Sequence, residues 1–152
     1  MSEMMSIRYF ELAYGATGVL LEMEIEYWID FKMVDFVCKI DGTRVGVSVT
    51  RAMGYPTPDR FTPEKAADLV NKKLYGLVVA RDSVVKKHRF FKSVLHIWCQ
   101  TDEISAIVKD AYDNMDDEMN IKGDMLLILT TYANPEIYHL DKNDWKLGLR
   151  RK

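Results

Sequence analysis

The chain has 152 residues, of which 48% are hydrophobic and 29% are charged. This length fits one domain of common size, and the composition excludes a globally disordered protein. The 21 Lys and Arg residues stand against 23 Asp and Glu residues, for a formal net charge of -2. This balance argues against a wholly basic coat of the histone kind, so any nucleic-acid surface must be a local patch.

The sequence lacks the patterns of membrane and secreted proteins. No apolar run approaches the roughly 18 to 20 residues that span a bilayer, and the start MSEMMSIRYFE has no apolar region of the signal-peptide kind. Cys38 and Cys99 lie in apolar stretches without CxxC spacing, which predicts buried thiols. We therefore expect an intracellular protein, cytoplasmic or nuclear, with no membrane partner.

The first fifty residues predict a helix and then three strands. Residues 4–14 can form a helix whose inward face carries Met5, Tyr9, Leu12 and Ala13. Apolar residues alternate with glutamates over residues 21–27, which predicts a half-buried first strand. Residues 33–40 and 43–51 then form a hairpin, because Asp41-Gly42 suits the positive φ angles of a type I′ turn.

A two-residue turn fixes the register of this hairpin. With Ile40 opposite Thr43, pairing outward sets Lys39 opposite Arg44, Phe36 opposite Val47 and Asp35 opposite Ser48. One face of the hairpin is then wholly apolar and includes Val34, Phe36 and Cys38. The second face, with Asp35, Ser48 and Thr50, is predicted to be polar and partly open.

The second half predicts helices and strands in alternation. Thr62 can cap a helix from Pro63 to about Arg81, residues 93–99 form a strand, and Thr101 caps a further helix. Residues 125–131 form a buried strand, which makes a right-handed parallel crossover. We expect one α/β domain over residues 1–152, with the order αβββαβαβ, a mixed sheet flanked by helices, and a short basic tail from about residue 146.

This order, together with residues 18–51, resembles the PD-(D/E)XK or restriction-endonuclease-like nuclease superfamily. In that family, an Asp at the start of the second strand faces an acidic residue on the third strand, and a Lys follows two positions later. The resemblance assigns the Asp to Asp35, whereas Ser48 and Thr50 stand in the other two positions. Two carboxylates are needed to hold Mg²⁺ and a Lys to orient water, so the resemblance implies a degenerate catalytic motif.

Three functions follow from this resemblance. The first is a non-catalytic nuclease-fold protein that needs no cofactor and acts as a nucleic-acid-binding or assembly module, with a protein partner or a second copy of itself. The second is a Mg²⁺-dependent endonuclease or exonuclease with migrated ligands, in which Asp35 and Glu24 hold the metal. Other candidates for migrated groups are Glu11, Glu22, Glu26, Glu64, Asp68, Lys65, Lys72 and Lys73. The third is a structural subunit like those of tRNA-intron endonucleases.

One internal basic segment is a candidate nucleic-acid contact. In RDSVVKKHRFFK, the cations Lys86, Lys87 and Arg89 precede Phe90 and Phe91, a mixture suited to phosphate contact and base stacking. The alternative is that the two Phe residues are core and the cations are solvated. Arg60, in the Pro-rich loop 54–63, is a further candidate. If the fold serves binding, these cations are expected beside the cleft at Asp35.

The remaining motifs are sparse. His96 lies within the apolar run SVLHIWC and is predicted to be a hydrogen-bonded core residue. No GxxxxGK[ST], GxGxxG, GxSxG or HExxH string occurs, so the commonest nucleotide-hydrolysing, dinucleotide-binding, esterase and zinc-protease classes are disfavoured.

Overall fold

The computed structural model describes residues 1–28, 33–117, 120–134 and 137–138. Its helices are α1 (Ser2–Tyr14), α2 (Pro63–Ser83) and α3 (Asp102–Asn114). Its strands are β1 (Thr17–Leu21), β2 (Phe36–Ile40), β3 (Thr43–Ala52), β4 (Lys92–Cys99) and β5 (Met125–Thr131). The α/β class is therefore confirmed, with helices and strands following one another in the expected order. The basic tail from residue 146 lies outside the described residues.

The five strands form one mixed sheet in the order β1-β2-β3-β4-β5. The pairs β1/β2 and β2/β3 are antiparallel, whereas β3/β4 and β4/β5 are parallel. The parallel connection from β4 through α3 to β5 agrees with the crossover expected from the sequence. The strand β5 was expected to be buried, but most of it is only half-buried because it forms an edge of the sheet.

Helices cover both faces of the sheet. Helix α1 packs on one face, where its Ile7 and Phe10 join a core cluster with Phe36 and Val47. Helices α2 and α3 pack on the other face in a second cluster. The face that carries Ser48 was expected to be partly open, but Ser48 is only 8% exposed because these helices cover that side.

The hairpin between β2 and β3 has the predicted register near its turn. Ile40 pairs with Thr43, Lys39 with Arg44, and Phe36 with Val47. Asp41 and Gly42 both have positive φ angles, as a type I′ turn requires.

Two predictions about the N-terminal region are wrong. The expected strand over residues 21–27 is a 3₁₀ turn at Glu22–Glu24, followed by a segment whose Trp28 N–H donates to the Ser83 carbonyl at the end of α2. The sheet strand lies earlier, at Thr17–Leu21. In α1, Leu12 is 70% exposed and the exposed Ala13 lies beside it, because the buried face carries Ser6, Ile7 and Phe10 instead.

The helix caps agree with the sequence. The Thr62 hydroxyl accepts a hydrogen bond from the Lys65 N–H, and the Thr101 hydroxyl accepts one from the Ile104 N–H. Each bond satisfies a backbone donor that the first turn of a helix leaves without a partner. No helix within the described part of the chain is long and apolar enough to cross a membrane.

Candidate functional sites: an aspartate at the start of β2 and a basic groove at the hairpin turn

Asp35 directly precedes β2 and ends the ladder between β2 and β3. Its N–H donates to the Val47 carbonyl at 2.9 Å, and its Oδ2 accepts the Val49 N–H at 2.6 Å. The carboxylate thus takes the place of a backbone acceptor. Regular pairing ends at Phe36 and Val47, so Asp35 is not paired with Ser48 as the register predicted.

The alternation of side chains changes at the same point. Val34 packs with Val37 in the cluster beneath α2, although an unbroken strand would place it with Phe36 on the opposite face. The extra hydrogen bonds of Asp35 displace the chain by one residue at the end of the ladder. A pattern of period two cannot predict this change.

Burial is the main influence on the Asp35 carboxyl group and raises its pKa to about 6. The Val49 N–H and the Lys73 ammonium oppose this change in the pKa, whereas the charges of Glu3 and Glu22 add to it. Charged groups from α1, α2 and the turn after β1 therefore act on one half-buried carboxyl group.

The expected partners of Asp35 are distributed differently. Ser48 and Thr50 pair with Leu95 and Ile97 of β4, in the middle of the sheet, and within the described residues no hydrogen bond joins either hydroxyl to Asp35. Glu24 is exposed, and its Oε1 accepts the Leu21 N–H at 3.4 Å.

Of the residues proposed above as replacements for the missing motif positions, Glu22 and Lys73 are close enough for their charges to shift the pKa of Asp35. Glu24, the predicted second metal ligand, has no such effect on this pKa. In the part of the chain that the structure describes, no group of three or more His, Cys, Asp or Glu side chains is arranged to hold a metal ion. Among the described residues, a metal at Asp35 would therefore have fewer than three ligands from His, Cys, Asp and Glu side chains.

A groove of about 400 Å³ lies at the turn end of the hairpin, and we call it the basic groove. Its cations come from three parts of the chain, and none of the described residues that line it carries a carboxylate. The lining residues are Lys39, Gly42, Thr43, Arg44, Lys86, Arg89 and Phe91.

Backbone contacts fix the segment that carries the basic groove. The Arg44 Nη1 donates to the Lys87 carbonyl at 2.6 Å, and the Phe91 N–H donates to the Arg44 carbonyl at 3.2 Å. The 3₁₀ turn Lys86–His88 is thereby held against the start of β3.

The four predicted nucleic-acid contacts have different surroundings. Lys86 and Arg89 line the basic groove. Lys87 instead forms an ion pair with Glu26, with 2.7 Å between Nζ and Oε1. Arg60 lies in a separate 3₁₀ turn before α2 and does not line the groove. The sequence analysis missed Lys39 and Arg44 as site residues, although the hairpin register already set them opposite each other beside the turn.

Phe90 and Phe91 have opposite environments. Phe90 is 1% exposed and packs over Gly46, where a β-carbon would lie 2.6 Å from the ring. Phe91 is 66% exposed. Phe90 is therefore a core residue, as one of the two alternatives expected, whereas Phe91 is an accessible aromatic side chain whose contact with nucleic acid stays a prediction.

His96 belongs to a buried polar network under α1. Its Nδ1 lies 2.8 Å from the Ser6 hydroxyl and its Nε2 lies 2.9 Å from the Thr130 hydroxyl, while Trp98 Nε1 donates to the same Ser6 oxygen. Burial lowers the pKa of His96 to about 4, so the ring is neutral at physiological pH. The prediction of a hydrogen-bonded core histidine is confirmed.

The two cysteines are also core residues. Cys38 and Cys99 are free and buried, and burial raises the pKa of each thiol to about 11. A protonated, inaccessible thiol is a poor nucleophile and a poor metal ligand, so neither residue marks a reactive site.

Comparison with known proteins finds a curated protein that resembles this chain over a small part of that protein's length. The chain is 32% identical to the AAC-rich mRNA clone AAC4 protein of Dictyostelium discoideum over an alignment of 117 positions, which covers 73% of the chain. That match spans 17% of the relative. No family model and no solved structure matches the chain.

Proposed function

We propose that this chain is a nucleic-acid-binding module built on a restriction-endonuclease-like core without a working catalytic motif. The observation that carries the proposal is the basic groove, in which four cationic side chains and one exposed aromatic ring line a single depression. Phosphates bind such cations, and bases stack on such rings.

The charges of the basic groove are available to a ligand. Within the described residues, Lys39, Lys86 and Arg89 form no ion pair, whereas the neighbouring Lys87 is paired with Glu26. The whole chain has a formal net charge of -2, so a local excess of cations is needed to attract a polyanion. The groove supplies that excess at one end of the hairpin.

The basic groove and Asp35 lie at opposite ends of the hairpin, so the proposed binding site is at the hairpin turn and not at the expected nuclease cleft. Asp35 stands at the start of β2, and the basic groove lies beyond its end. Four to five residues at about 3.3 Å each separate them by about 15 Å along the strand. Binding at a nuclease cleft would need these cations beside Asp35, but they lie at the other end of β2. The proposed binding therefore does not depend on that carboxylate.

A salt titration tests the proposal. Binding of labelled DNA and RNA is measured by fluorescence anisotropy for the parent, the K86A/R89A variant and a K65A/K109A control. The control removes the same charge at exposed positions outside the groove. We expect the groove variant to bind more weakly and to lower the slope of log K against log salt by about 1.4 to 1.8, whereas the control changes it little.

Two results would contradict the proposal. One is equal weakening by the two double variants, which would indicate a general charge effect. The other is the absence of parent binding at about 50 mM salt, a condition that favours phosphate contacts. Thermal unfolding of both variants should match the parent, because exposed cations contribute little to stability.

A second candidate is a Mg²⁺-dependent nuclease, favoured by the charged groups around Asp35. Asp35 and Glu22 would hold the metal, which would activate water for attack on a phosphodiester, and Lys73 would stabilise the extra negative charge of the transition state. Because burial raises the pKa of Asp35 to about 6, protons would compete with Mg²⁺ for this carboxylate below that pH, so cleavage at low Mg²⁺ concentration should increase with pH.

Incubation of labelled DNA and RNA with Mg²⁺ or Mn²⁺ tests this candidate. Cleavage that Asp35→Asn and Lys73→Ala abolish would support it and would overturn the non-catalytic reading. Absence of cleavage, or cleavage that survives in Asp35→Asn, would remove it.

A further inference from the structure

The exposed Phe91 ring stands between two grooves. One is the basic groove, and the other, which we call the flanking groove, has a volume of about 580 Å³. Both are lined by Arg89 and Phe91. The flanking groove is further lined by Arg81, Asp82, Phe90 and Asp124. A ligand that follows both grooves therefore meets the two residues that they share, Arg89 and Phe91.

The backbone around this ring is held on both sides. The Phe91 N–H donates to the Arg44 carbonyl, and the preceding Phe90 ring is packed against Gly46. The following Lys92 is the first residue of β4, and its Nζ pairs with Asp124 at 2.9 Å. Phe91 is therefore an exposed aromatic group on a fixed support, which costs less ordering entropy on binding than a ring on a loose loop.

The charges of the two grooves differ. All charged residues described around the basic groove are cations, whereas in the flanking groove Arg81 pairs with Asp124 at 3.6 Å and with Asp82 at 3.8 Å. One continuous phosphate backbone can follow the cations of the basic groove and Arg89. The flanking groove is lined by two arginines and two carboxylates, so it has no excess of cations to attract a second phosphate backbone alongside the first.

We infer that these grooves take a single-stranded nucleic acid, with a base stacked on Phe91 and phosphates beside Lys86, Arg89 and Arg44. This inference rests on the proposed function and names the substrate class of the same site. A base in a duplex is already stacked and paired, so its face is closed to a protruding ring. The bases of a single strand are open to such stacking.

The experiment compares single strands with duplexes of equal length and sequence, as both DNA and RNA. Each is titrated against the parent, F91A, F91L and F91Y in low salt, and the DNA and RNA arms distinguish the two sources of the same chemistry. We expect the parent to bind single strands more tightly than duplexes. F91A should weaken single-strand binding by about 5- to 150-fold, the range that corresponds to loss of one stacked base.

The other two variants separate stacking from simple burial. F91Y keeps an aromatic face and should retain most of the parent affinity, whereas F91L keeps apolar area without that face and should resemble F91A. The slope against salt should stay close to that of the parent in all three variants, because no phosphate contact is removed.

The outcomes distinguish this inference from the proposed function. Tighter binding of duplexes, or F91A binding like the parent while K86A/R89A binds more weakly, would overturn the single-strand inference and leave the basic groove as a nucleic-acid site. If the parent binds none of the four nucleic acids, both fall.

Discussion

Replacing Asp35 by Asn is expected to stabilise the protein at neutral pH. The Asp35 carboxyl group is half-buried and accepts the Val49 N–H, and an amide oxygen can accept the same hydrogen bond. The variant therefore keeps the contact that ends the hairpin ladder and removes only the charge. Because burial disfavours that charge, the folded state gains from its removal wherever the parent is ionised.

The size of the effect follows from the pKa of Asp35, which burial raises from 3.8 to about 6. Each unit is worth about 1.4 kcal/mol, so ionisation costs the folded parent up to about 3 kcal/mol. Between these two values the folded state holds a proton that the unfolded state has released. The contribution of Asp35 to the stability of the parent is thus lost as the pH rises from about 4 to 6, and it stays at the lower level above that range.

Urea unfolding followed by tryptophan fluorescence measures this difference. We expect Asp35→Asn and the parent to have nearly equal free energies of unfolding near pH 3.5, and the variant to be more stable by up to about 3 kcal/mol at pH 7. A difference that does not change with pH would refute the reasoning. So would a parent that is more stable than the variant at pH 7, since that would mean that the Val49 N–H and Lys73 together stabilise the carboxylate by more than burial destabilises it.

Asp35→Ala serves as the matched comparison. It removes the same charge but also leaves the Val49 N–H without its acceptor, which costs about 1 to 3 kcal/mol where the group is buried. The alanine variant should therefore be less stable than the asparagine variant at every pH. If both variants are more stable than the parent at pH 7, the Asp35 carboxylate does not stabilise the fold at neutral pH. A role in binding a ligand would then explain the carboxylate.

Three further predictions concern the framework of the two sites. Gly46→Ala should cost about 1 to 3 kcal/mol in urea unfolding, because its β-carbon would lie 2.6 Å from the Phe90 ring, and G46A/F90L should recover part of that loss. Burial lowers the pKa of His96 to about 4 in the folded state, so its contribution to the free energy of unfolding should rise by up to about 1.4 kcal/mol per pH unit between pH 4 and 6.5. This rise should be visible in the Asp35→Asn background, which removes the opposite effect of Asp35, and His96→Gln should abolish it. Thr101→Ala should lower the free energy of unfolding by about 1 kcal/mol through loss of the bond from the Ile104 N–H, whereas Thr101→Ser should retain most of the stability.

The sequence predicts those parts of the fold that depend on local chemistry. The Asp41-Gly42 turn sets the hairpin register, and Thr62 and Thr101 begin the two helices at the residues where the structure begins them. Each signal acts over a few residues, through a positive φ angle or a capping hydroxyl. Tertiary contacts have little opportunity to override such signals.

The sequence-based predictions are wrong where contacts between distant parts of the chain determine the local structure. Residues 21–27 alternate like a strand, but Glu26 and Trp28 pair with the end of α2, more than fifty positions away, which turns the segment from the sheet. In α1, the polar network around His96 buries Ser6 and so rotates Leu12 outward. A hydrophobicity pattern places Ser6 on the surface, because no local feature of the sequence shows that His96 and Trp98 on β4 hydrogen-bond to its hydroxyl.

The site residues divide in the same way. Lys86 and Arg89 were recognisable because basic and aromatic residues are close in sequence, yet their neighbours Lys39 and Arg44 come from the hairpin and reach them only through the parallel pairing of β3 with β4. Conversely, Lys87 belongs to the same run but is neutralised by Glu26. Charge in a sequence thus predicts a basic segment, and the folded chain decides which of its cations remain available.

The positions of Asp35 and the basic groove make the candidate activities experimentally separable. A strand of β2 length lies between them, and about 15 Å exceeds the roughly 8 Å Debye length at physiological ionic strength. Changing the charge of Asp35 should therefore leave the salt slope of nucleic-acid binding unaltered, and removing Lys86 and Arg89 should leave the pH dependence of stability unaltered. If Asp35→Asn instead strengthened binding severalfold at physiological salt, the nucleic acid would have to extend along the hairpin to the carboxylate. In that case the basic groove would be one end of a longer binding site that includes Asp35.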